Sequence, residues 1–136
     1  MSASLSYVSA SAYVAVGGAL GAVGRYQLGR AVTHTIGHQA ASQFPWATFA
    51  ANVVGCLLMG FLFGWLARHG GTNEGMRLFL GVGLLGGFTT FSAFSLEMLM
   101  LVERGAIGLA FAYAAGSVLA GLGAVFLGLA IMRATL

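Results

Sequence analysis

Four apolar runs, at about residues 13–28, 46–67, 76–102 and 107–132, constrain this chain more than anything else in it. A helix needs about 20 apolar residues to cross the hydrocarbon of a bilayer, and only the first run is short of that. The rest of the sequence agrees. Of 136 residues 59% are hydrophobic and 7% charged, and the mean hydropathy is +0.92. A soluble domain carries about 25% charged residues, so an ordinary soluble fold is excluded. The reading is an all-α membrane protein, one four-helix transmembrane domain over 1–136. Trp46 and Trp65 mark the two ends of the second run as interfacial anchors, and Pro45 suits a first helical turn. Arg68-His69-Gly70-Gly71 stops that run, and Gly105 is placed to cap the third. The serine-rich start, Met1–Ala12, has no basic residue, so no secretory signal is read there and the first run is kept as a span.

The third run is unlike a segment that only has to span. Gly86-Gly87-Phe88-Thr89-Thr90-Phe91-Ser92-Ala93-Phe94-Ser95-Leu96-Glu97 puts two glycines, four hydroxyls and a carboxylate at membrane depth. Adjacent glycines weaken a helix, and hydroxyls offer the backbone competing hydrogen bonds. Non-helical backbone persists there only when buried in protein or lining a watery cavity. The stretch is therefore expected to break the third helix in its middle and to line an ion pathway.

Other helices carry polar stripes. Thr48, Asn52 and Gly55 share a face of the second helix, and Tyr113, Ser117 and Gly121 share a face of the fourth. Phe91 and Phe94 stand at i, i+3, with Ser92 and Ser95 on the adjacent edge. Each stripe, taken alone, is equally explained by helix packing. Together they offer hydrogen-bond donors and aromatic edges, which carry partial positive charge. That lining suits a small, hydrated anion held weakly enough to leave. Arg25 stands near one interface, where it either attracts anions or faces headgroups. Glu97 is costly inside a span. It stays open as a neutral acid, a hydrogen-bonding group at a pathway end, or the partner of Arg25 or Arg104. His34 and His38 are assigned to a solvated loop between about Ala31 and Phe44. Methionines 59, 98, 100 and 132 are span filler. Gly17/Gly21 and Gly60/Gly64 are packing faces.

Several classes are excluded. Cys56 is the one cysteine, so no intrachain disulfide forms. The six basic residues are all arginine and none form a run, so nothing marks a nucleic-acid partner. No catalytic constellation is visible. With four spans, Arg68, Arg77 and Arg133 lie on one side and Arg25, Arg30 and Arg104 on the other. Three against three gives the positive-inside rule nothing to choose with. Either the charges are too few to set a topology, or chains insert both ways and pair antiparallel.

The same residues resemble a known family. Gly86–Ser92, continuing to Phe94, Ser95 and Glu97, resembles the signature of the Fluc fluoride channels, also called CrcB. Gly17-Gly-Ala-Leu-Gly-Ala-Val-Gly-Arg25-Tyr26 resembles their first-helix motif. Pro45-x-x-Thr48-x-x-x-Asn52-x-x-Gly55 resembles their second. The resemblance implies an antiparallel, dual-topology homodimer with two passive fluoride pores in a bacterial inner membrane. It implies that Phe91 and Phe94 turn their edges to fluoride, and that Asn52, Tyr113 and Ser117 are pore residues. Ser92, Ser95 and Thr48 are placed on the same fluoride pathway. Arg25 becomes the vestibule arginine. Gly86 and Thr89 mark the helix break whose carbonyls hold a structural sodium ion between subunits. Gly121 stands where relatives carry a further hydroxyl, which shortens the polar track.

Two other classes compete. A small multidrug-type exporter has the same size, but needs a membrane acid in its first span, where this chain has none. A scaffold subunit accounts for the glycines but not for the donors gathered around Gly86–Ser95.

Overall fold

The computed structural model describes residues 5–69 and 74–135. The described chain is helical almost throughout. Helix α1 spans Tyr7–Ile36, α2 His38–Gln43 and α3 Trp46–Arg68. The third span opens with α4, Glu74–Met76, continues as a π-helical segment, Arg77–Leu85, and ends as α5, Gly86–Phe88. After two non-helical residues come α6, Phe91–Glu103, and α7, Ile107–Ala134. Among the described residues, four helical stretches are long and apolar enough to cross a membrane: Tyr7–Ile36, Trp46–Arg68, Glu74–Glu103 and Ile107–Ala134.

The helix ends are set by caps, not by where hydropathy falls. Ser6 caps α1, its side chain accepting from the Ser9 N–H at 3.2 Å. The helix passes through the polar residues after Leu28 and stops at Gly37, where φ is 85°. That value lies in the left-handed region open to glycine. Chain expected to be loop from about Ala31 to Phe44 is thus helical up to Ile36, and again in α2. Pro45 does not enter the first turn of α3; it is the N-cap residue. Gly105 has φ 75° and turns the chain between α6 and α7. The Gly70-Gly71 stop and Met1–Ser4 lie outside the described residues.

Side chains facing lipid are large and apolar, so the packing inside is made by small ones. Gly17 and Gly21 of α1 lie against the backbone of Phe79, Leu84 and Phe88, and Gly87 lies against Gly18. Gly60 of α3 meets the Val125 carbonyl and the Leu129 N–H, while Gly128 of α7 meets the Leu57 carbonyl and the Phe61 N–H. Close backbone approach is the main source of helix association where lipid offers no hydrophobic drive. A compact cluster of Leu101, Ala110 and Tyr113, flanked by Phe44, Phe49, Phe94 and Met98, fills one end of the bundle. At that end the Arg104 guanidinium donates to the Ser42 carbonyl at 2.9 Å. At the opposite end Arg68 donates to the Arg133 carbonyl at 3.0 Å.

Candidate functional site

The site begins where the third span leaves helical geometry. Thr89 has φ −85°, ψ 159° and Thr90 has φ −151°, ψ 127°, both extended. In a continuous helix the Thr90 N–H would return to the Gly86 carbonyl. Instead it donates to Asn52 Oδ1 at 2.8 Å, and Asn52 Nδ2 donates to the Thr90 carbonyl at 3.0 Å. Asn52 thus supplies the acceptor that the Thr90 N–H lacks, as buried polar groups require, and adds a second donor to a carbonyl that, at the N-cap of α6, already accepts the first intrahelical bond. The Thr90 hydroxyl then caps α6, accepting from the Ala93 N–H at 3.2 Å. Thr90 was not among the residues singled out in the sequence. A Thr three residues before the next helical N–H, ahead of an apolar run, is the N-cap signal that points to it. On the other flank, the Thr89 hydroxyl donates to the Leu85 carbonyl at 2.9 Å, and Gly55 of α3 abuts the Thr89 methyl.

An open groove of about 470 Å³ runs beside these residues. Asn52, Gly86, Thr89, Phe91, Phe94 and Ser117 all line it. Phe91 is 79% exposed and its ring sits 5.8 Å from that of Phe94. The Ser117 hydroxyl is buried and, among the described residues, has no hydrogen-bond partner. Ser92 and Ser95 are elsewhere: Ser95 donates to the Phe91 carbonyl at 2.9 Å, and Ser92 lies 3.2 Å from the Thr90 hydroxyl. Neither lines the groove. Gly121 is buried, with the Cys56 sulfur beside it.

Glu97 has a definite place. Its Oε1 accepts from the Thr48 hydroxyl at 2.6 Å and its Oε2 from the Tyr113 hydroxyl at 2.8 Å. Neither arginine reaches it, because Arg25 Nε donates to the Gly87 carbonyl at 3.3 Å and Arg104 is spent on the Met100 and Ser42 carbonyls. Three helices are thereby tied through one carboxylate. Thr48 is 8% and Tyr113 0% exposed, so each hydroxyl depends on Glu97. Glu97→Leu strands both and is expected to destabilise the protein by about 2–6 kcal/mol, at about 1–3 kcal/mol for each orphaned group. Glu97→Gln is expected to cost clearly less, since a hydroxyl can turn to accept from the amide. Thermal unfolding of the purified protein, followed by size-exclusion, compares the two.

The Thr48 side of this cluster opens into a second cavity, of about 610 Å³, lined by Arg25, Arg30, His34, His38 and Thr48 among others. His34 and His38 lie at this mouth and not on a free loop: His34 stands on α1 four residues beyond Arg30, and the Gly37 bend brings His38 to the same wall. The residues singled out in the sequence thus divide. Arg25 and Thr48 belong to the mouth. Asn52, Gly86, Thr89, Phe91, Phe94 and Ser117 belong to the groove. Tyr113, whose ring lies 4.9 Å from that of Phe94, joins the two through Glu97. Among the described residues no group of three or more His, Cys, Asp or Glu gathers as a metal site.

Comparison with known proteins places this arrangement. The family model for CrcB-like proteins, described also as camphor resistance (CrcB), matches residues 12–129. A protein of Novosphingobium aromaticivorans named "Fluoride-specific ion channel FluC" is 64% identical over 126 residues, 93% of this chain and 98% of the relative. Proteins of the same name from Phenylobacterium zucineum and Erythrobacter litoralis are 52% and 51% identical over 121 residues. In both cases 88% of this chain is covered, with 92% and 89% of the relatives. These relatives are named as ion channels, not enzymes. A multi-pass membrane bundle, matched nearly end to end by such proteins, belongs to the CrcB family.

Proposed function

We propose that this chain is a fluoride-selective channel that lets fluoride leave the bacterial cytoplasm passively across the inner membrane. The observation that carries the reading is the groove at Thr89–Thr90. It combines neutral donors and an exposed phenylalanine edge with very little charge. A desolvated fluoride needs donors to replace its water, and neutral ones bind weakly enough for it to leave. Ser117, buried and without a partner in the described chain, is a free donor of this kind. The relatives' names supply the identity of the ion.

The single chain leaves the groove open on one side, with Phe91, Val118 and other apolar residues exposed along it. An antiparallel second copy closes it, and the balanced arginines permit insertion in both orientations. Two copies then make two pores. A structural sodium ion fits at the centre. Diversion of the Thr90 N–H to Asn52 removes the helical donor of the Gly86 carbonyl, and hard cations take such oxygens. Gly86 and Thr89 would hold it by their carbonyls, where it would supply fixed positive charge between subunits. In this reading Asn52 positions Thr90, Phe91 and Phe94 present ring edges, and Ser117 donates. Tyr113 and Thr48 hold Glu97 at the way in from the mouth, and Arg25 concentrates anions there. Ser92 and Ser95 act on the same path by shaping the first turn of α6.

The test is fluoride efflux from liposomes loaded with potassium fluoride, started with valinomycin and read by electrode, with chloride-loaded liposomes alongside. Fluoride leaves within seconds to minutes and chloride stays. Phe91→Ile, which keeps bulk but removes the polarised edge, is expected to lower fluoride efflux at least about tenfold, the equivalent of 1.4 kcal/mol. Retained fluoride from a folded protein would leave the class wrong. Unchanged efflux in Phe91→Ile would leave the class standing and remove the phenylalanine from it.

A further inference from the structure

The mouth beside Arg25 is built for more charge than one fluoride carries. Its polar lining includes Arg25, Arg30, His34 and His38, with the hydroxyls of Tyr26 and Thr33, and no carboxylate lines it. Arg25 spends only Nε on the Gly87 carbonyl. Its terminal nitrogens have no hydrogen bond among the described residues. Arg30 is exposed at the same wall. Guanidinium forks match tetrahedral oxyanions bidentately. The cavity volume of about 610 Å³ also exceeds a bare halide by far. Thr48 lines the inner wall of this cavity, with its side chain 8% exposed and bonded to Glu97.

We propose that the cavity between α1, α2 and the start of α3 is a binding site for a tetrahedral oxyanion, phosphate or sulfate in kind, which seats on Arg25 and Arg30 and blocks the mouth. The inference rests on the channel reading only for the blocking. His34 and His38 line the same cavity, and each ring offers an N–H donor to the oxyanion. The other charged groups near the mouth are few. Glu97 stands behind Thr48 and is held by two hydroxyls. Arg104 reaches the Ser42 carbonyl at the end of α2, and Glu103 precedes it in sequence.

Potassium sulfate is the probe, because it is a dianion at neutral pH. Fluoride current through the full-length protein is recorded in planar bilayers, with ionic strength held by gluconate. Sulfate is expected to block reversibly. Arg30→Gln is expected to raise the half-blocking concentration about tenfold. Equal half-blocking concentrations in the parent and Arg30→Gln would overturn the site. Calorimetric titration of sodium sulfate into the purified protein reads binding without current. Heat with no fluoride current sinks the channel reading and keeps the site. Current with neither block nor heat does the reverse. Bilayers of a phosphate-free glycolipid and of phosphatidylglycerol distinguish the source. Block confined to the glycolipid bilayer identifies a lipid headgroup phosphate as the occupant, and block in both identifies a free oxyanion. Either result supports the site.

Discussion

Asn52→Ala is expected to reduce fluoride flux at least about a hundredfold, the equivalent of about 2.7 kcal/mol. The amide of Asn52 satisfies the N–H and the carbonyl of Thr90 together, at 2.8 and 3.0 Å. Alanine leaves the N–H unpaired in a part-buried setting, at about 1–3 kcal/mol, while the carbonyl keeps only its helical donor. Thr90 has a cheap way to recover. Its N–H can return to the Gly86 carbonyl and the segment can close into helix. That would turn Phe91 and Phe94 away from their present wall of the groove. It would also take the freed carbonyl that suits a cation. Asn52→Asp separates the two contacts. One carboxylate oxygen still accepts from the N–H, while the other faces the Thr90 carbonyl, oxygen to oxygen, and adds charge beside the proposed anion path. Aspartate is therefore expected to be no better than alanine in flux. Stopped efflux in both variants, with folded protein confirmed by size-exclusion, supports the clamp. Parent-like flux in Asn52→Ala would show that the extended residues hold themselves.

Gly128→Leu should prevent assembly of the bundle. A side chain there would meet the Leu57 carbonyl and the Phe61 N–H, which are backbone atoms of α3 and cannot swing aside. Gly60, on the facing helix, is set just as tightly against Val125 and Leu129. The two helices would have to part along most of their contact, and helices in lipid have little else to hold them. Overpacking a core costs about 1–3 kcal/mol when neighbours can shift, and here they cannot. Loss of the monodisperse peak on fluorescence-detected size-exclusion is the expected result. Gly108→Ala is the control, because nothing lies within 4 Å of the added carbon. A normal peak for Gly128→Leu would show that α3 and α7 are free to slide.

The spans were legible in the sequence because hydropathy is summed over many residues and tolerates local error. Their ends were not. Ser6 and Gly37 decide where α1 begins and stops, and the polar residues between Leu28 and Gly37 are compatible with helix wherever one is already growing. The stripe of Thr48, Asn52 and Gly55 was correctly placed on one face of α3. Spacing on one helix could not say that its members would meet three different partners: Glu97, Thr90 and the Thr89 methyl. Glu97 shows the same limit. A carboxylate in a span demands partners, but hydroxyls 49 and 16 residues away leave no local trace. The resemblance named Asn52 without giving its geometry, which depends on the backbone of another segment. The place of His34 and His38 at the mouth is not legible because it needs α1 to continue past Arg30 to His34 and a single glycine, Gly37, to bend the chain before His38.

The π-helical coil of Arg77–Leu85 has a consequence for how this chain tolerates change. Its hydrogen bonds skip one residue more per turn than an α-helix does. It therefore sets the angle at which Gly86–Phe88 arrives at α1, where Gly87 lies against Gly18 and its carbonyl receives Arg25. Removing one residue from 77–85 would rotate the remainder of the third span by one residue's share of this wider turn. Exchanging one apolar residue for another on the lipid side would turn nothing. The segment's length is thus more constrained than its composition. A deletion scan would find it brittle where a substitution scan finds it permissive.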